Sequence, residues 1–290
     1  MIEDILNFLI LGSIQGSIYA LLALGFSLVY GVGGILNQAH GAFYLITAYI
    51  FFWFYRNLAG IGLVVGIIVG LIAVTVIGGL VYILLVRPLK DSHVGVVIVT
   101  FAFAFFMEQV VKVFVDSLYH GMPYLIEGYF DFFGVNVYYH YILIVVSSLS
   151  ILTFVILIIN KSKVGKSIRA VAQDSEAAEL MGINVDRILA YTLMISGFLA
   201  GVAAILYVPM DIVAPHIGWG ILINSFSIVV LGGLGNLSGS ILGAFIISYA
   251  NAFTNFVLRM PEFSALIPVI VIVIMLIARP RGLLGKKEID

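Results

Sequence analysis

Residues 61–86 read IGLVVGIIVGLIAVTVIGGLVYILLV, and no charged side chain interrupts them. An α-helix rises about 1.5 Å per residue, so about 20 apolar residues cross the hydrocarbon core of a membrane. This stretch is therefore long enough to span a bilayer. Of the whole chain, 62% is hydrophobic and 10% is charged, whereas soluble domains carry about 25% charged residues. The composition predicts an all-α, polytopic integral membrane protein.

Further apolar runs place candidate spans along the whole sequence. The second, seventh and eighth of these spans are weak, because they are short or interrupted by glycine and polar residues. We therefore expect eight or nine transmembrane helices, some of them discontinuous, within one transmembrane domain over residues 1–290. The candidate spans are 5–31, 35–55, 61–86, 94–115, 139–160, 188–208, 219–234, 238–258 and 264–279.

The basic residues predict the orientation of these spans. Three segments, 87–93, 161–187 and 279–290, hold most of the lysines and arginines, whereas the loop 116–138 holds none. Because loops rich in Lys and Arg stay on the cytoplasmic side, the three basic segments and the C-terminus are expected to face the cytoplasm. The protein is then a multi-pass protein of the plasma or inner membrane. The side on which the N-terminus lies depends on whether eight or nine helices cross.

The segment 161–187, KSKVGKSIRAVAQDSEAAELMGINVDR, is charged and lies between two apolar spans. Asp174 or Ser175 is suited to cap the start of a helix, and Gly182 is suited to end it in a left-handed conformation. These signals predict two short helices, at about 165–173 and 175–181.

The second short helix needs a surface to pack on, because a helix of two turns is unstable alone in water. Ala177, Leu180 and Met181 fall on one small apolar face. A helix that binds lipid carries basic residues and large aromatic anchors, but this one carries Asp174 and Glu176. The pattern favours docking on a protein groove over packing on lipid.

A short motif in the same segment resembles part of a nucleotide-binding loop but is incomplete. Residues 165–167 read GKS, the end of a phosphate-binding loop, but Asn160 stands where that loop requires its first glycine. A predicted membrane helix also precedes the motif, where the loop requires a strand. We therefore exclude nucleotide binding by this chain.

Residues 25–49, GFSLVYGVGGILNQAHGAFYLITAY, place glycine and polar residues near membrane depth. Two interpretations stay open. Unwound backbone at that depth is tolerated where it lines a cavity, so the stretch is suited to a discontinuous helix beside a transport route. It is equally suited to a tight connection in which Asn37 caps the next helix.

Residues 225–250 contain a second glycine-rich stretch. Gly235, Gly239 and Gly243 are spaced four apart, which is typical of close helix packing in membranes. The letters GG-x-x-N occur here at 232–236 and also at 33–37. The match suggests an internal duplication, which is common in transporters.

Chemically reactive constellations are absent from the sequence. The chain has no cysteine, which excludes disulfides, zinc–thiolate sites and iron–sulfur clusters. Glu108 and Lys112 lie four residues apart in a predicted span, where a local ion pair is favoured over a proton relay. We expect no catalytic residue, no cofactor, no metal site and no nucleic-acid partner.

Three stretches resemble one known family: 30–49, 164–187 and 229–245. They are similar to the permease subunit of branched-chain amino acid ABC importers of the leucine/isoleucine/valine type. The chain departs from the family pattern at Ala42 and Gln38, which leaves the cargo less certain than the family. The resemblance implies four kinds of partner: a homologous second permease, two cytoplasmic ATPases, an extracytoplasmic substrate-binding protein and membrane lipid.

The resemblance also implies roles for particular residues. The segment 161–187 would couple the chain to an ATPase, with ATP hydrolysis left to that partner. The expected coupling residues are Arg169, Asp174, Ala178, Leu180 and Gly182. The residues expected to shape the translocation route are Asn37, His40, Gly41 and Asn236.

Other functions remain open on the sequence alone. A secondary transporter or channel would use Glu108 and the broken helices but gives 164–187 no role. An ABC permease for urea, short amides or other amino acids would keep the same architecture. A membrane-embedded enzyme is disfavoured, because no catalytic constellation is present.

Overall fold

The computed structural model describes residues 2–58, 60–115, 120–279 and 282–285. The predicted basic tail beyond residue 285 and part of the loop 116–138 lie outside these residues. The regular secondary structure of the described residues is helical, apart from one small antiparallel sheet and an isolated β-bridge between His120 and Val213. The helices are α1 (Ile2–Gly33), α2 (His40–Asn57), α3 (Gly62–Val81), α4 (His93–Phe114), α5 (Tyr139–Lys161), α6 (Lys163–Gln173), α7 (Ser175–Leu180), α8 (Val185–Tyr207), α9 (Ile217–Gly232), α10 (Leu237–Ala252) and α11 (Ile267–Ala278). The strands are β1 (Tyr129–Phe132) and β2 (Val135–Tyr138).

Within the described residues, six helical segments are long and apolar enough to cross a membrane. They are Ile2–Gly33, Gly62–Leu89, His93–Phe114, Tyr139–Lys161, Val185–Met210 and Leu237–Val257. Among the other helices, α9 and α11 are apolar but short, with 16 and 12 residues, whereas α2 has 18 residues and is less apolar. The predicted polytopic, helical membrane fold is confirmed, and the count of eight or nine crossings stays a prediction.

One compact unit consists of residues 28–122 and 153–222. In it, α3 packs against α2 and α8. A Cβ atom added to Gly66 would lie 3.0 Å from the carbonyl oxygen of Phe51 in α2, and one added to Gly78 would lie 2.6 Å from that of Leu193 in α8. Small residues let helix backbones approach closely in membranes. Gly66 and Gly78 therefore let α3 pack closely on α2 and α8.

A second compact unit consists of residues 1–27, 123–152 and 223–290. Here α10 packs against the first half of α1, since a Cβ atom added to Gly16 would lie 2.5 Å from the ring of Phe245. The end of α9 touches α10 as well, and a Cβ on Gly239 would lie 2.2 Å from the carbonyl oxygen of Gly232. The expectation of one domain over the whole chain stays a prediction.

The small sheet is an addition to the predicted fold. The strands β1 and β2 pair through a two-residue turn, in which Phe133 has φ 53° and Gly134 has φ 85°. A turn with positive φ at both positions suits a β-hairpin, but it normally uses Asn-Gly or Asp-Gly. Phenylalanine rarely adopts positive φ, so the sequence carries no hairpin signal here. For that reason no strand is predicted from the sequence between residues 116 and 138.

Candidate functional site

The helix α6 is fixed to the end of α5. The hydroxyl of Ser162 accepts a hydrogen bond from the N–H of Gly165 over 2.9 Å and caps the helix two residues earlier than predicted. The Arg169 guanidinium donates a hydrogen bond to the carbonyl oxygen of Ile159. Ile168 is buried, as expected for the inner face of an amphipathic helix. Arg169, a predicted coupling residue, therefore holds the connection between α5 and α6.

The helix α7 is closed at both ends by its own residues. The carboxylate of Asp174 accepts from the N–H of Ala177 over 2.9 Å, which is the predicted N-cap. At the other end Gly182 has φ 82°. The N–H of Gly182 donates to the carbonyl of Glu179 over 2.9 Å, and that of Ile183 donates to Ala178 over 3.0 Å. This is the Schellman arrangement, so two predicted coupling residues, Asp174 and Gly182, define the helix.

The two faces of α7 have different environments. Ala178 is 4% exposed, whereas Leu180 is 89% exposed and Met181 is 83% exposed. Positions two apart on a helix lie on roughly opposite sides, so Ala178 and Leu180 face different ways. Ala178 packs on its own chain, and Leu180 and Met181 form an exposed pair that we call the apolar tip. Ala178 and Leu180 are both predicted coupling residues, but the structure places them on different faces of α7.

A groove of about 570 Å³ runs beside α7. Its lining combines the end of α1, the start of the loop after it, the loop that precedes α4, and the segment from α6 to α8. The acidic side chains Glu176 and Glu179 and the basic Lys90 line it. The groove is polar enough to receive a charged protein surface. Its remaining lining residues are Val32, Gly33, Ile35, Asp91, Val171, Ser175, Gly182, Ile183, Asn184, Val185, Asp186 and Leu189.

Asp186, in the first turn of α8, joins this segment to the end of α3. Asn184 caps α8 by accepting from the N–H of Arg187 over 2.9 Å, which leaves the Asp186 carboxylate for other donors. It accepts from the hydroxyl of Tyr82 over 2.9 Å, from Nε of Arg87 over 3.0 Å and from Nζ of Lys90 over 3.2 Å. No spacing or capping pattern in the sequence predicts this cluster. The available signal was that an acidic residue and two basic residues lie in segments predicted on one membrane side.

The connection between α1 and α2 is short and held by side chains. Gly34 has φ 63° where α1 ends. The buried Asn37 accepts from the N–H of Ala39 over 3.0 Å, one residue before α2 begins at His40. The N–H of Gln38 donates to the hydroxyl of Thr100 over 3.1 Å. Asn37 therefore closes a turn before α2 and does not cap the helix, whose N-cap position is Ala39, without a side-chain cap.

His40 and Gly41 lie in the first turn of α2, in the compact unit formed by residues 28–122 and 153–222. Nδ1 of His40 lies 3.0 Å from the hydroxyl oxygen of Ser196 in α8. A Cβ on Gly41 would lie 2.2 Å from the carbonyl oxygen of Gly218, and one on Gly218 would lie 2.8 Å from that of Gly41. The backbones of α2 and α9 are therefore in contact at these two glycines.

Glu108 lies beside this contact and forms the predicted ion pair with Lys112. Nζ of Lys112 lies 2.6 Å from one carboxylate oxygen of Glu108. The indole N–H of Trp219 donates to the other oxygen, which the sequence analysis did not anticipate. Glu108 is 7% exposed. A small cavity beside it is lined by Gln38, Gly41, Ala42, Leu45, Ala104, Glu108, Pro215, Gly218, Trp219 and Leu222.

Asn236 and the glycines around it lie in the other unit. Asn236 caps α10 by accepting from the N–H of Gly239 over 2.9 Å, and its amide donates to the carbonyl of Leu284. Gly239 and Gly243 face α9 closely, but Gly235 lies in the turn before α10 with φ 78°. Asn236 thus has a capping position, and Gly235 is not on the helical face that the other two share.

The two GG-x-x-N stretches have similar backbones. In each, the first glycine ends a helix and the second has positive φ: 63° at Gly34 and 106° at Gly233. The shared glycine conformation supports the duplication suggested by the letters. The asparagines differ, because Asn236 caps α10 through the N–H of Gly239, whereas Asn37 accepts from Ala39 before α2 begins.

Comparison with known proteins identifies the family. The family described as "Branched-chain amino acid transport system / permease component" matches residues 8–276, so the chain belongs to that family. Its resemblance through the three quoted stretches is thereby confirmed. A permease component is one part of a transport system, so this chain is a multi-pass membrane subunit that works with others.

Two curated relatives and one solved structure resemble nearly the whole chain. The permease protein BraD of a high-affinity branched-chain amino acid transport system in Pseudomonas aeruginosa is 31% identical, over 97% of this chain and 96% of its own. LivH of Escherichia coli K12, from a system of the same description, is 29% identical over 96% and 95%. The structure of PsaBC from Streptococcus pneumoniae in complex with Fab gives a TM-score of 0.53 at 13% identity, over 94% and 92%. The last likeness concerns the fold alone.

Proposed function

We propose that this chain is the permease subunit of an ABC importer for branched-chain amino acids. It pairs with a homologous second permease, receives the amino acid from an extracytoplasmic binding protein, and uses ATP hydrolysed by two cytoplasmic ATPases. The segment 161–187 and the C-terminus face the cytoplasm. The family membership and the names of the relatives support this cargo.

The observation that carries the proposal is the apolar tip of α7. Leu180 and Met181 stand almost fully exposed on a helix whose two ends are capped by Asp174 and Gly182. Burying a Leu or Met side chain contributes about 1.5–3 kcal/mol. A partner that covers both side chains therefore gains a substantial part of its binding energy from them.

The flanking charges favour a protein partner over lipid. Glu176 and Glu179 line the groove beside the tip. Anionic lipid repels such carboxylates, whereas lipid-binding helices carry Lys and Arg. A cleft with an apolar floor and a basic rim on the ATPase complements both the tip and the acidic groove.

The contacts around Asp186 supply a mechanical link to the spans. The end of α7 leads directly into α8, and Asp186 there holds Arg87 and Lys90 at the end of the α3 segment. A displacement of α7 by the ATPase is thus transmitted to α8 and α3 together. Arg169 and Ala178 keep α6 and α7 seated on this frame.

The translocation route is expected along Asn37, His40 and Gly41. Asn236 is better explained as the cap of α10. Glycine at 41 leaves no side chain between α2 and α9, so a small relative movement of these helices opens space there.

The direct test is transport by the assembled importer in proteoliposomes. Uptake of labelled leucine, isoleucine or valine is expected only with the binding protein outside, ATPases bound and ATP available to them. Uptake of urea or an amide instead of these amino acids would change the cargo. Uptake driven by an ion gradient without ATPases would replace the proposal with a secondary transporter.

A further inference from the structure

We propose that Glu108 is the carboxylate with which this chain contacts its cargo, binding the ammonium group of the amino acid in exchange for Lys112. The inference rests on the proposed function and deepens it by locating a substrate contact. The aliphatic side chain of the cargo would enter beside Glu108 once the helices separate, at a place where the closed structure holds a cavity of only about 10 Å³.

The position of Glu108 is the first reason. It is a charged, 7% exposed residue in the membrane-spanning helix α4. Charge at such a position is expensive and tends to mark the pathway of a polar substrate. A carboxylate offers about four acceptor sites, and here Lys112 and Trp219 are its hydrogen-bond donors among the described residues. Glu108 therefore has acceptor capacity for a further N–H donor.

The chemistry of the ion pair is the second reason. The ammonium of Lys112 is the same chemical group as the α-ammonium of an amino acid. The Lys112 side chain is 38% exposed and lies two residues before the end of α4, where a lysine can extend its ammonium towards the membrane surface, while Glu108 stays buried. When the cargo ammonium replaces it, the buried carboxylate is never left without a cation, which would be costly.

The cavity is the third reason. Besides Glu108 and Gln38, its lining is apolar or nearly so, with the aliphatic Leu45 and Leu222 and several small residues. The cavity holds only about 10 Å³ in this closed conformation, far less than the roughly 300–1,000 Å³ of a formed small-molecule site, so it marks the lining and not a space ready for the cargo. The pairing of one carboxylate with aliphatic walls matches an aliphatic amino acid.

The site is closed in this conformation. The backbones of Gly41 and Gly218 touch across it, and Trp219 holds the Glu108 carboxylate from the same helix as Gly218. Separating α2 from the start of α9 widens the cavity and draws Trp219 from Glu108. Opening the cavity and exposing the carboxylate are therefore one movement.

A purely structural ion pair is the competing explanation, and three variants distinguish it. Glu108→Gln, Lys112→Gln and the double variant are compared in the reconstituted importer, with KM and maximal rate of leucine uptake as readouts. If Glu108 binds the cargo, Glu108→Gln raises KM by at least about tenfold, the scale of one charge-assisted hydrogen bond. Lys112→Gln leaves KM unchanged or lowers it, because the competing ammonium is gone, and the double variant behaves like Glu108→Gln.

A structural pair predicts a different pattern. Both single variants would then lose uptake alike, and the double variant, which leaves no unpaired charge, would regain it; that result overturns the inference. So does wild-type KM in Glu108→Gln. If Glu108→Gln does not fold, Glu108→Asp keeps the charge but shortens its reach, and an unchanged KM there contradicts the contact. If proteoliposomes with the wild-type importer take up no branched-chain amino acid, the proposed function itself is refuted. If wild-type uptake is normal and the variants are unaffected, only this inference is refuted.

Discussion

The N–H of Ile183 donates a hydrogen bond to the carbonyl oxygen of Ala178 over 3.0 Å. This bond ends α7. It also fixes the position of Leu180 and Met181, which lie between Ala178 and Ile183 in the sequence. It forms because the intervening Gly182 adopts φ 82°, a conformation that costs other residues about 1–2 kcal/mol. The direction of the apolar tip thus depends on a glycine at which an added Cβ atom would meet nothing within 4 Å.

Gly182→Val is expected to reduce ATP-driven uptake by at least about fivefold while the membrane helices stay folded, since 1–2 kcal/mol shifts a population about 5–30-fold. A Cβ at this position meets nothing within 4 Å, so the effect comes from backbone strain and not from a clash. Uptake and the unfolding temperature in detergent are measured together.

Gly60→Val is the matched control for that variant. Gly60 has φ 77° and equally open surroundings, but it lies between α2 and α3. The same strain there should leave uptake near that of the wild type. Normal uptake in a well-expressed Gly182→Val protein would contradict a role for α7 in coupling to the ATPase.

Leu180→Glu is expected to weaken ATPase association without destabilising the chain. The side chain packs little on its own protein, and exposed substitutions usually change stability by less than about 0.5 kcal/mol. The lost burial against the partner is about 1.5–3 kcal/mol, or about 10–100-fold in Kd. Binding of the purified permease to its ATPase measures this loss.

Ala178→Glu serves as the contrast, because it places a carboxylate on the buried face of the same helix. It is expected to abolish uptake by unseating α7, with the membrane helices still folded, and it should raise proteolysis within 174–182. Equal proteolysis of the two variants would mean that the two faces of α7 are not different in solution.

Asp186→Asn is expected to lower the free energy of unfolding by about 0.2–1 kcal/mol at low salt, the range of a partly exposed ion pair. Arg87 and Lys90 both lose their charge partner. Screening weakens such pairs, so the difference from wild type should shrink in high salt. Tyr82→Phe removes an uncharged donor from the same carboxylate, and its effect should not depend on salt.

Gly239→Val is expected to destabilise the chain by about 1–3 kcal/mol or more, the cost of overpacking. Its Cβ would lie 2.2 Å from a backbone oxygen of Gly232, which cannot rotate away. Gly220→Val, where a Cβ meets nothing within 4 Å, is the control. Equal unfolding temperatures for the two variants would contradict the close contact of α9 and α10.

Local signals in the sequence predicted α7 well. The N-cap at Asp174 and the left-handed Gly182 both depend on residues within one turn of the helix end, so their types alone indicate the structure. Apolar spacing likewise predicted that Ala177, Leu180 and Met181 share a face. Spacing does not say which face packs on the chain itself, and for that reason the burial of Ala178 was not foreseen.

Contacts between distant residues could not be predicted in this way. Asp186 meets Arg87 across 99 positions, and Glu108 meets Trp219 across 111. Neither pair leaves a periodic or capping pattern in the sequence. Such contacts depend on how whole helices pack, and a single sequence records only the residue types that take part.

The central claim is that the apolar tip of α7 docks on an ATPase, and the chain offers a direct measurement because it contains no cysteine. Leu180→Cys introduces a single thiol at the tip, and Phe133→Cys introduces one at the exposed turn of the β1–β2 hairpin. Each variant is co-expressed with the ATPase subunits and treated with a short thiol-to-amine crosslinker. The account predicts an ATPase crosslink from Leu180→Cys and none from Phe133→Cys. A Leu180→Cys protein that retains uptake yet never crosslinks to the ATPase would contradict it.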